Sequence, residues 1–312
     1  MILITGSLGL IGRAISDRIQ QSGGKVRSFD IRDTPDQDIR NGEALQAAME
    51  GVAGIIHLAA VSRVVWAQRD PELAWATNVD ALAGLLDSAG RQPHHPWIVF
   101  ASSREVYGEP EALPVPETAP LRPLNVYARS KVAGEQLIQA AQARGVTAAI
   151  ARFSNVYGCI EDHADRVVPA FARAAATGGP VRVEGADNMF DFTHIDDVAR
   201  GLNLLVDATE AGHALPPIHF VSGHGTTLRQ LAELAARVSP GQVDGQTHPS
   251  RNYDVARFRG DTALAAQLLG WKAAIGIDEG FRLLTDRFIA AGTGLSSTAV
   301  SNPQARPAAL SA

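Results

Sequence analysis

The feature that most constrains the fold is a glycine-rich turn that directly follows the first apolar run of the chain. The run Met1 to Thr5 has the composition of a short buried strand. Gly6, Gly9 and Gly12 follow it at the head of an amphipathic stretch from Leu10 to Gln21. Glycines at this spacing allow a tight turn and close packing of the next helix on the strand. The block therefore predicts a strand, a turn and a helix in immediate succession.

Short apolar runs and longer amphipathic stretches alternate through the first half of the chain, which is typical of βαβ units on a parallel sheet. The predicted strands cover 1–5, 25–29, 54–58, 97–101 and 147–153, and the predicted helices cover 10–21, 43–49, 71–89 and 126–144. After about residue 160 the pattern is less regular and turn clusters are frequent. We therefore expect an α/β protein with a Rossmann-like, doubly wound parallel sheet and a smaller C-terminal lobe.

The domain boundaries follow from this change of pattern. Residues 1–160 are expected to form the main domain, completed by elements near 198–205 and 218–221 within the segment 190–222. Residues 161–292 are expected to form most of the smaller lobe. The stretch 296–312 is small, polar and proline-containing, which favours a disordered tail.

An acidic residue after the second predicted strand indicates which ligand the glycine turn binds. A helix N-terminus behind such a turn presents free N–H groups to a pyrophosphate. Asp30 ends the run Val26 to Phe29, where a carboxylate can bind the ribose diol of a dinucleotide. The same carboxylate repels a 2′-phosphate, so the pattern favours NAD over NADP, although Arg32 close by softens that preference.

Composition excludes several classes of partner. The net charge is −5, so neither nucleic acid nor an anionic membrane surface is an expected partner. The single cysteine, Cys159, excludes an intramolecular disulfide and a Cys-x-x-Cys metal site. We find no signal peptide and no apolar run long enough to span a membrane, and we therefore expect a cytoplasmic protein.

Tyr127 and Lys131 stand one helical turn apart in a chain with four tyrosines and three lysines. Residues four apart share a helix face, so the phenol and the ammonium are predicted to lie together. A free tyrosine is almost fully protonated at neutral pH. A neighbouring ammonium favours the phenolate, which predicts a proton-transfer site beside the dinucleotide.

Several further segments, taken with this pair, carry a resemblance to a known family. They are Thr5 to Gly12, His57 to Ala60, Thr77 to Val79, Ala101 to Gly108, Tyr127 to Lys131 and Arg152 to Gly158. The chain resembles the extended short-chain dehydrogenase/reductase family, the NAD-dependent nucleotide-sugar epimerases and dehydratases, and it is most similar to the UDP-sugar 4-epimerases. The resemblance extends to about residue 290.

The resemblance implies an NAD site, a UDP-sugar substrate held partly by the smaller lobe, and roles for particular residues. The implied catalytic residues are Ser103, Tyr127 and Lys131. The implied cofactor-binding residues are Gly6, Gly9, Leu10, Ile11, Gly12, Asp30, Asp38, Ile39, Leu58, Ala59, Ala60, Asn78, Ala101, Tyr127, Lys131 and Phe153. The implied substrate-binding residues are Ser102, Ser103, Arg104, Tyr127, Asn155, Arg166, Val167, Arg182 and Arg251.

The chain departs from the family pattern at Phe190. The family commonly has an arginine there, which binds the diphosphate of the substrate together with the arginine that Arg251 matches. The diphosphate is then expected to depend on Arg251 and another cation. Arg166 and Arg182 are the candidates for that cation, and either is equally well explained as a solvated surface charge.

The residues after Ser103 bear on the reaction. The family's dehydratases have an Asp-Glu pair at this point, whereas this chain has Arg104 and Glu105, so dehydration is disfavoured. Glu105 alone also resembles the UDP-glucuronate decarboxylases. The preferred prediction is a 4-epimerase, an isomerase that acts on UDP-glucose and UDP-galactose or on the corresponding uronates. The neutral hexoses are slightly preferred, although Arg104 or Arg166 is placed to meet a carboxylate.

Two further expectations concern assembly and the absence of turnover. The resemblance implies a homodimer formed by the helices near 71–89 and 126–144, but Leu82, Leu85 and Leu86 fit an ordinary core face equally well. No metal site is expected, since the nine histidines show no ligand spacing. A non-catalytic NAD-binding sensor is the alternative of another class. It is disfavoured because Tyr127 and Lys131 are both present.

Overall fold

Six parallel strands form the central sheet of the protein. The computed structural model describes residues 1–239, 241, 243–249 and 255–292. The strands of this sheet are β1 (Ile2–Thr5), β2 (Val26–Phe29), β3 (Gly54–His57), β4 (Trp97–Ser103), β5 (Ala148–Phe153) and β9 (Ile218–Phe220). The first five lie where the sequence predicts them, and β9 is the predicted element near 218–221 that completes the sheet.

The order of the strands in the central sheet indicates where a ligand-binding crevice lies. The order is β2-β1-β3-β4-β5-β9, and every neighbouring pair is parallel. The order reverses between β1 and β3. Open α/β sheets bind ligands beyond the carboxyl ends of their strands at such a point. The predicted doubly wound fold is confirmed, and its crevice lies between the glycine turn after β1 and the segment after β3.

Helices cover both faces of the sheet. In the first half they are α1 (Leu10–Gln21), α2 (Gly42–Ala48), α3 (Val64–Arg69), α4 (Pro71–Trp75), α5 (Ala81–Gly90) and α6 (Val126–Ala143). The two core layers contain Ile4, Val99 and Phe220 on one face of the sheet and Leu3, Ile55 and Phe100 on the other. Successive residues of a strand point to opposite faces, so these fully apolar runs are buried on both sides.

Two sequence expectations change at this level. The predicted helix 71–89 is interrupted, because Ala76–Asp80 forms a π-helical turn between α4 and α5. The segment 198–205 lies within α8 (Ile195–Glu210), a helix that packs beside α1 on the sheet rather than adding to it as a strand.

Smaller sheets and helices make up most of the second half. The strand order β10-β8-β6 joins Gly225–Thr227, Met189–His194 and Asn155–Tyr157, and β11 (Val243–His248) pairs with β7 (Gly179–Glu184). Helices α7 (Val167–Thr177), α9 (Leu228–Val238) and α11 (Ile277–Ala290) share a separate apolar core with these strands, and α10 (Ala263–Leu269) lies beside β9. The predicted tail 296–312 lies outside the described residues.

The leucines of α5 belong to the core. Leu82, Leu85 and Leu86 pack with Phe100 and Ile138 beneath the sheet. They are therefore core residues rather than an interface, and the predicted homodimer gains no support from them. Within the described residues, none of the helices has the length and apolar content needed to cross a membrane.

Candidate active site

The glycine turn after β1 is packed so closely that side chains do not fit. Gly6 has φ +69°, and a Cβ built on it would lie 2.7 Å from the backbone nitrogen of Ala59. A Cβ on Gly12 would lie 2.2 Å from the carbonyl oxygen of Gly6. Gly9 is the N-cap of α1, and Leu10 and Ile11 form the first turn of that helix. The free N–H groups at the start of this twelve-residue helix therefore face a turn in which no side chain blocks access.

Asp30 lies beside this turn. Its side chain is 5% exposed, and its Oδ2 accepts a hydrogen bond of 2.8 Å from the backbone nitrogen of Leu8. Oδ1 accepts from the backbone nitrogen of Arg32 at 2.9 Å, and the Arg32 guanidinium pairs with the same oxygen at 3.3 Å. The predicted carboxylate is thus held at the carboxyl end of β2, next to the first turn of α1.

The segment after β3 forms the opposite wall of the crevice. Ala59 donates to the Thr5 hydroxyl at 3.3 Å, which holds Leu58 to Ala60 against the glycine turn. Asn78 is buried in the π-helical turn, where its amide accepts from the Val61 nitrogen at 2.8 Å and donates to the Ser130 hydroxyl at 2.9 Å. These bonds make Asn78 a positioning residue, because they link the segment after β3 to helix α6.

Asp38 and Ile39 follow a short 3-10 turn at the adenine end of the predicted site. Ile39 is 5% exposed and packs in the core with Leu45. The Asp38 carboxylate binds the side chain of Arg40, with Nε to Oδ1 at 3.0 Å. The carboxylate of Asp38 is therefore already paired with the guanidinium of Arg40.

Ser103, Tyr127 and Lys131 meet at the carboxyl end of β4. Ser103 is the last residue of β4, and its hydroxyl lies close enough to the Tyr127 phenol to lower the pKa of that group. Tyr127 and Lys131 lie on α6, and the Lys131 Nζ is 5.8 Å from the centroid of the Tyr127 ring. Nζ donates a 2.8 Å hydrogen bond to the carbonyl oxygen of Ala101. The structure thus brings together the three residues that the sequence predicts as catalytic.

The protonation state of Tyr127 differs from the sequence expectation. Burial raises the pKa of Tyr127 to about 12, and the Glu105 carboxylate adds to this, against the opposing effects of Ser103, Arg166 and Arg104. Without NAD, Tyr127 is therefore a phenol at neutral pH, because desolvation outweighs the neighbouring charges. Burial also lowers the pKa of Lys131 to about 8, although the Glu135 carboxylate opposes this effect.

Arg104 and Glu105 form a buried ion pair beside this group. Nη2 of Arg104 lies 2.8 Å from Oε1 of Glu105, and Nε donates to Oδ1 of Asn155 at 2.8 Å. Oε2 of Glu105 accepts from the amide of Asn125 at 3.0 Å. Asn125 is also the N-cap of α6, which carries Tyr127. Both carboxylate oxygens of Glu105 are therefore engaged.

Phe190 supplies a ring face where the resemblance implies an arginine. Its ring centroid lies 4.9 Å from the guanidinium carbon of Arg104, and that of Phe258 lies 5.7 Å away from the same carbon. Arginine above an aromatic face is stabilised by the electron density of the ring. The arginine that the resemblance implies at position 190 is absent, but the guanidinium of Arg104 lies over the ring of Phe190.

The remaining predicted substrate residues divide into two groups. Arg166 lies at the N-cap of α7, just before Val167, and pairs with Asp162 at 3.2 Å; its charge lowers the pKa of Tyr127. Arg182 lies elsewhere, since its side chain is 67% exposed and pairs with Glu184. The surface-charge explanation therefore holds for Arg182.

One predicted position, Ser102, does not join the group around Tyr127. Ser102 points to the opposite face of β4 from Ser103, because successive strand residues alternate, and its hydroxyl binds Glu135. The predicted substrate contact of Ser102 therefore gains no support from this geometry. Arg251 lies outside the described residues. Phe153, predicted to contact the cofactor, ends β5 at 5% exposure and packs against Phe220.

Comparison with known proteins decides the family. A family model described as the NAD dependent epimerase/dehydratase family matches residues 2–220. The chain belongs to this family. A relative named UDP-glucose 4-epimerase from Lacticaseibacillus casei is 30% identical over 242 residues, which cover 72% of this chain and 73% of the relative.

Solved structures of related proteins have the same fold. A UDP-glucose 4-epimerase from Thermus thermophilus, in complex with NAD, superposes with a TM-score of 0.83 at 28% identity, covering 93% of this chain and 99% of that one. The protein MoeE5, in complex with UDP-glucuronic acid and NAD, has a TM-score of 0.82 at 27% identity, with the same coverage.

The residues present fit the NAD of the epimerase/dehydratase family. Gly6 and Gly12 leave space for a pyrophosphate at the start of α1, and the Asp30 carboxylate would accept hydrogen bonds from the adenosine ribose. Lys131 is placed to hold the nicotinamide ribose in addition to its bond to Ala101. Among the described residues, no group of three or more His, Cys, Asp or Glu side chains is placed to hold a metal ion.

Sequence reasoning missed several residues that support this family site. Asn125, Glu135, Arg152 and Phe258 all contact site residues or the helix that carries them. Asn125 has a local signal, because asparagine is a preferred N-cap before a helix. Phe258 has none, since it lies far from Arg104 in the sequence.

Proposed function

We propose that this protein is an NAD-dependent 4-epimerase of a UDP-hexose. The observation that carries the proposal is the grouping of Ser103, Tyr127 and Lys131 beside a Glu105 whose two carboxylate oxygens are both engaged. The first three side chains are those needed to remove and return the proton of a sugar hydroxyl. The names of the related epimerases support the same reaction.

The protein's part in the chemistry is proton transfer at C4 of the sugar. NAD, when bound, supplies the hydride acceptor and a positively charged ring. With NAD bound, the positive nicotinamide ring and Lys131 would favour the phenolate of Tyr127. This phenolate would take the C4 hydroxyl proton as the ketone forms and would return it after the other face of the sugar is presented. Ser103 lies beside Tyr127 and would orient the same oxygen. Lys131 keeps a positive charge on this side of the site and thereby favours the phenolate during the reaction.

Glu105 argues against dehydration and decarboxylation. Both of those reactions need a further acid or base next to the serine. Glu105 is the carboxylate at that position, and it is paired with Arg104 through one oxygen and with Asn125 through the other. Both oxygens therefore already have partners within the protein, and neither is free to contact the substrate. Epimerisation at C4 makes no use of it.

The test is a product analysis with two substrates. Purified protein is incubated separately with UDP-glucose and with UDP-glucuronate, and the sugars are resolved by NMR. We expect the C4 epimer to appear without net consumption of NAD. Unchanged configuration at C4 for both substrates would refute the proposal. Release of carbon dioxide from UDP-glucuronate would instead identify a decarboxylase.

A further inference from the structure

Arg104 has a polar group that the proposed mechanism leaves without a role. The residue is 8% exposed and follows directly after Ser103 in the chain. The Cα atoms of consecutive residues are about 3.8 Å apart, so the backbone of Arg104 lies directly beside that of the catalytic serine. Nε of Arg104 donates to Asn155, a predicted substrate-binding residue, and its charge lowers the pKa of Tyr127, so the guanidinium lies near both.

Two of the three guanidinium nitrogens have partners. Nε donates to Asn155 and Nη2 pairs with Glu105, both at 2.8 Å. Nη1 is buried and has no hydrogen-bond partner. Within the part of the chain that the structure describes, it is therefore an unsatisfied charged donor.

The surroundings of Arg104 fix this orientation. Phe190 and Phe258 lie against the guanidinium carbon at 4.9 and 5.7 Å, while Asn155 and Glu105 hold two of its nitrogens. The side chain cannot turn Nη1 to solvent without breaking those contacts. Leaving a charged donor buried without an acceptor is unfavourable, so an acceptor from a ligand would recover the lost hydrogen bond.

We propose that Nη1 of Arg104 binds an anionic oxygen of the sugar nucleotide. This inference rests on the proposed function, because it takes the ligand of the same site to be a UDP-sugar. A charge-assisted hydrogen bond at this nitrogen satisfies the last donor of the guanidinium. Arg166 is a weaker candidate for the same contact, since its side chain is 29% exposed and its Nη1 already binds both oxygens of Asp162.

Two parts of a UDP-sugar can supply such an oxygen. One is the carboxylate of a hexuronate, and the other is the diphosphate. The carboxyl carbon C6 is bonded to C5, the neighbour of the reacting C4, whereas the diphosphate is attached to C1 across the ring. Because Arg104 adjoins Ser103, the C6 carboxylate is the nearer of the two. The structure therefore favours a hexuronate, in contrast to the sequence-based preference for neutral hexoses.

The test measures equilibrium binding rather than turnover. Calorimetry on the NAD-containing protein gives dissociation constants for UDP, UDP-glucose and UDP-glucuronate. The main variant is the double substitution Arg104→Met with Glu105→Gln, which removes both charges and leaves no unpaired carboxylate. Glu105→Gln alone is the matched control, because it keeps Arg104 and removes only its internal partner. NAD content and thermal unfolding verify that each variant is folded.

We expect the double variant to bind UDP-glucuronate on the order of tenfold more weakly, with UDP and UDP-glucose unchanged. Equal weakening of all three ligands would assign the contact to the diphosphate, which also supports an anion site. Glu105→Gln should bind the affected ligand as tightly as wild type or more tightly, since Arg104 is then uncompensated.

Two results would overturn the inference. One is a folded double variant whose three dissociation constants stay within about twofold of wild type, since a charge-assisted bond is stronger than that. The other is a loss of affinity in Glu105→Gln as large as in the double variant, which would show that the ion pair is needed only to hold the local fold. A wild-type protein that binds none of the three ligands would refute the proposed function itself.

Discussion

Arg152 binds both carboxylate oxygens of Glu135, at 2.8 and 2.6 Å, from strand β5 to helix α6. The two side chains are 3% and 1% exposed. Glu135 lies one helical turn beyond Lys131 and also accepts a hydrogen bond from Ser102. This pair therefore anchors the helix of the proton-transfer group to the sheet, on the side away from the substrate.

Breaking this pair should destabilise the fold strongly. Glu135→Gln leaves the Arg152 charge buried without its counter-ion, which costs about 3–5 kcal/mol. The double variant Glu135→Gln with Arg152→Met removes both charges and should recover much of that loss. Denaturant unfolding of the wild type, both single variants and the double variant measures the coupling. Additive effects of the two substitutions would contradict it.

Lys131 should give the stability a specific pH dependence. Burial lowers its pKa from 10.5 to about 8, so the unfolded chain holds this proton between those pH values while the folded protein has released it. The contribution of Lys131 to the free energy of unfolding therefore rises with pH through this window, by about 3 kcal/mol.

The comparison that isolates this effect is Lys131→Met. The difference in unfolding free energy between wild type and variant, measured by denaturant unfolding at pH 7 and again near pH 10.5, should move in favour of the wild type at the higher pH. A constant difference would mean that Lys131 keeps its ordinary pKa in the folded protein.

Tyr127 should be a phenol in the NAD-free protein over the whole physiological range. Its pKa is raised to about 12, chiefly by burial. The phenolate absorbance lost on Tyr127→Phe substitution should therefore appear only in strongly alkaline solution. Adding NAD should lower the midpoint, because a positive ring near the phenol favours the phenolate. A wild-type midpoint at or below 10 without NAD would contradict the structure.

Gly6 should tolerate no side chain. Gly6→Ala places a methyl group 2.7 Å from the backbone of Ala59 at φ +69°. Gly51 has nearly the same φ, +67°, with no atom within 4 Å, so Gly51→Ala measures the backbone strain alone. We expect Gly51→Ala to cost about 1–2 kcal/mol and Gly6→Ala to cost more. NAD affinity, measured by calorimetry, should fall in Gly6→Ala only.

Asp30 should control the choice between NAD and NADP. Asp30→Asn removes the charge that repels a 2′-phosphate and leaves Arg32 without its ion pair. The ratio of the NAD and NADP dissociation constants should shift toward NADP by about tenfold. Asp33→Asn, at an exposed acid three residues along, is the control and should leave the ratio unchanged.

The local elements of the site could be predicted because their signals are local. The glycine turn, Asp30 and the Tyr127–Lys131 pair depend on residues close in sequence, and the structure places each of them at the crevice. The main strands were predicted for the same reason, since apolar runs between turns specify them.

The packing around Arg104 could not be predicted, because its partners are distant in the chain. Asn155, Phe190 and Phe258 reach the guanidinium from β6, β8 and the segment before α10. No local pattern in the sequence specifies such a meeting. The raised pKa of Tyr127 without NAD could not be predicted for a related reason, since the extent of burial depends on the whole fold.

The π-helical turn at Ala76–Asp80 makes the length of this segment as important as its composition. A π turn holds one residue more than an α turn. Deleting one residue here would allow a regular helix, but each residue of an α-helix turns the next by about 100°. Leu82, Leu85 and Leu86 would then rotate out of the core, and Asn78 would lose its bonds to Val61 and Ser130. Homologues that keep this site should therefore accept substitutions in the turn more readily than insertions or deletions.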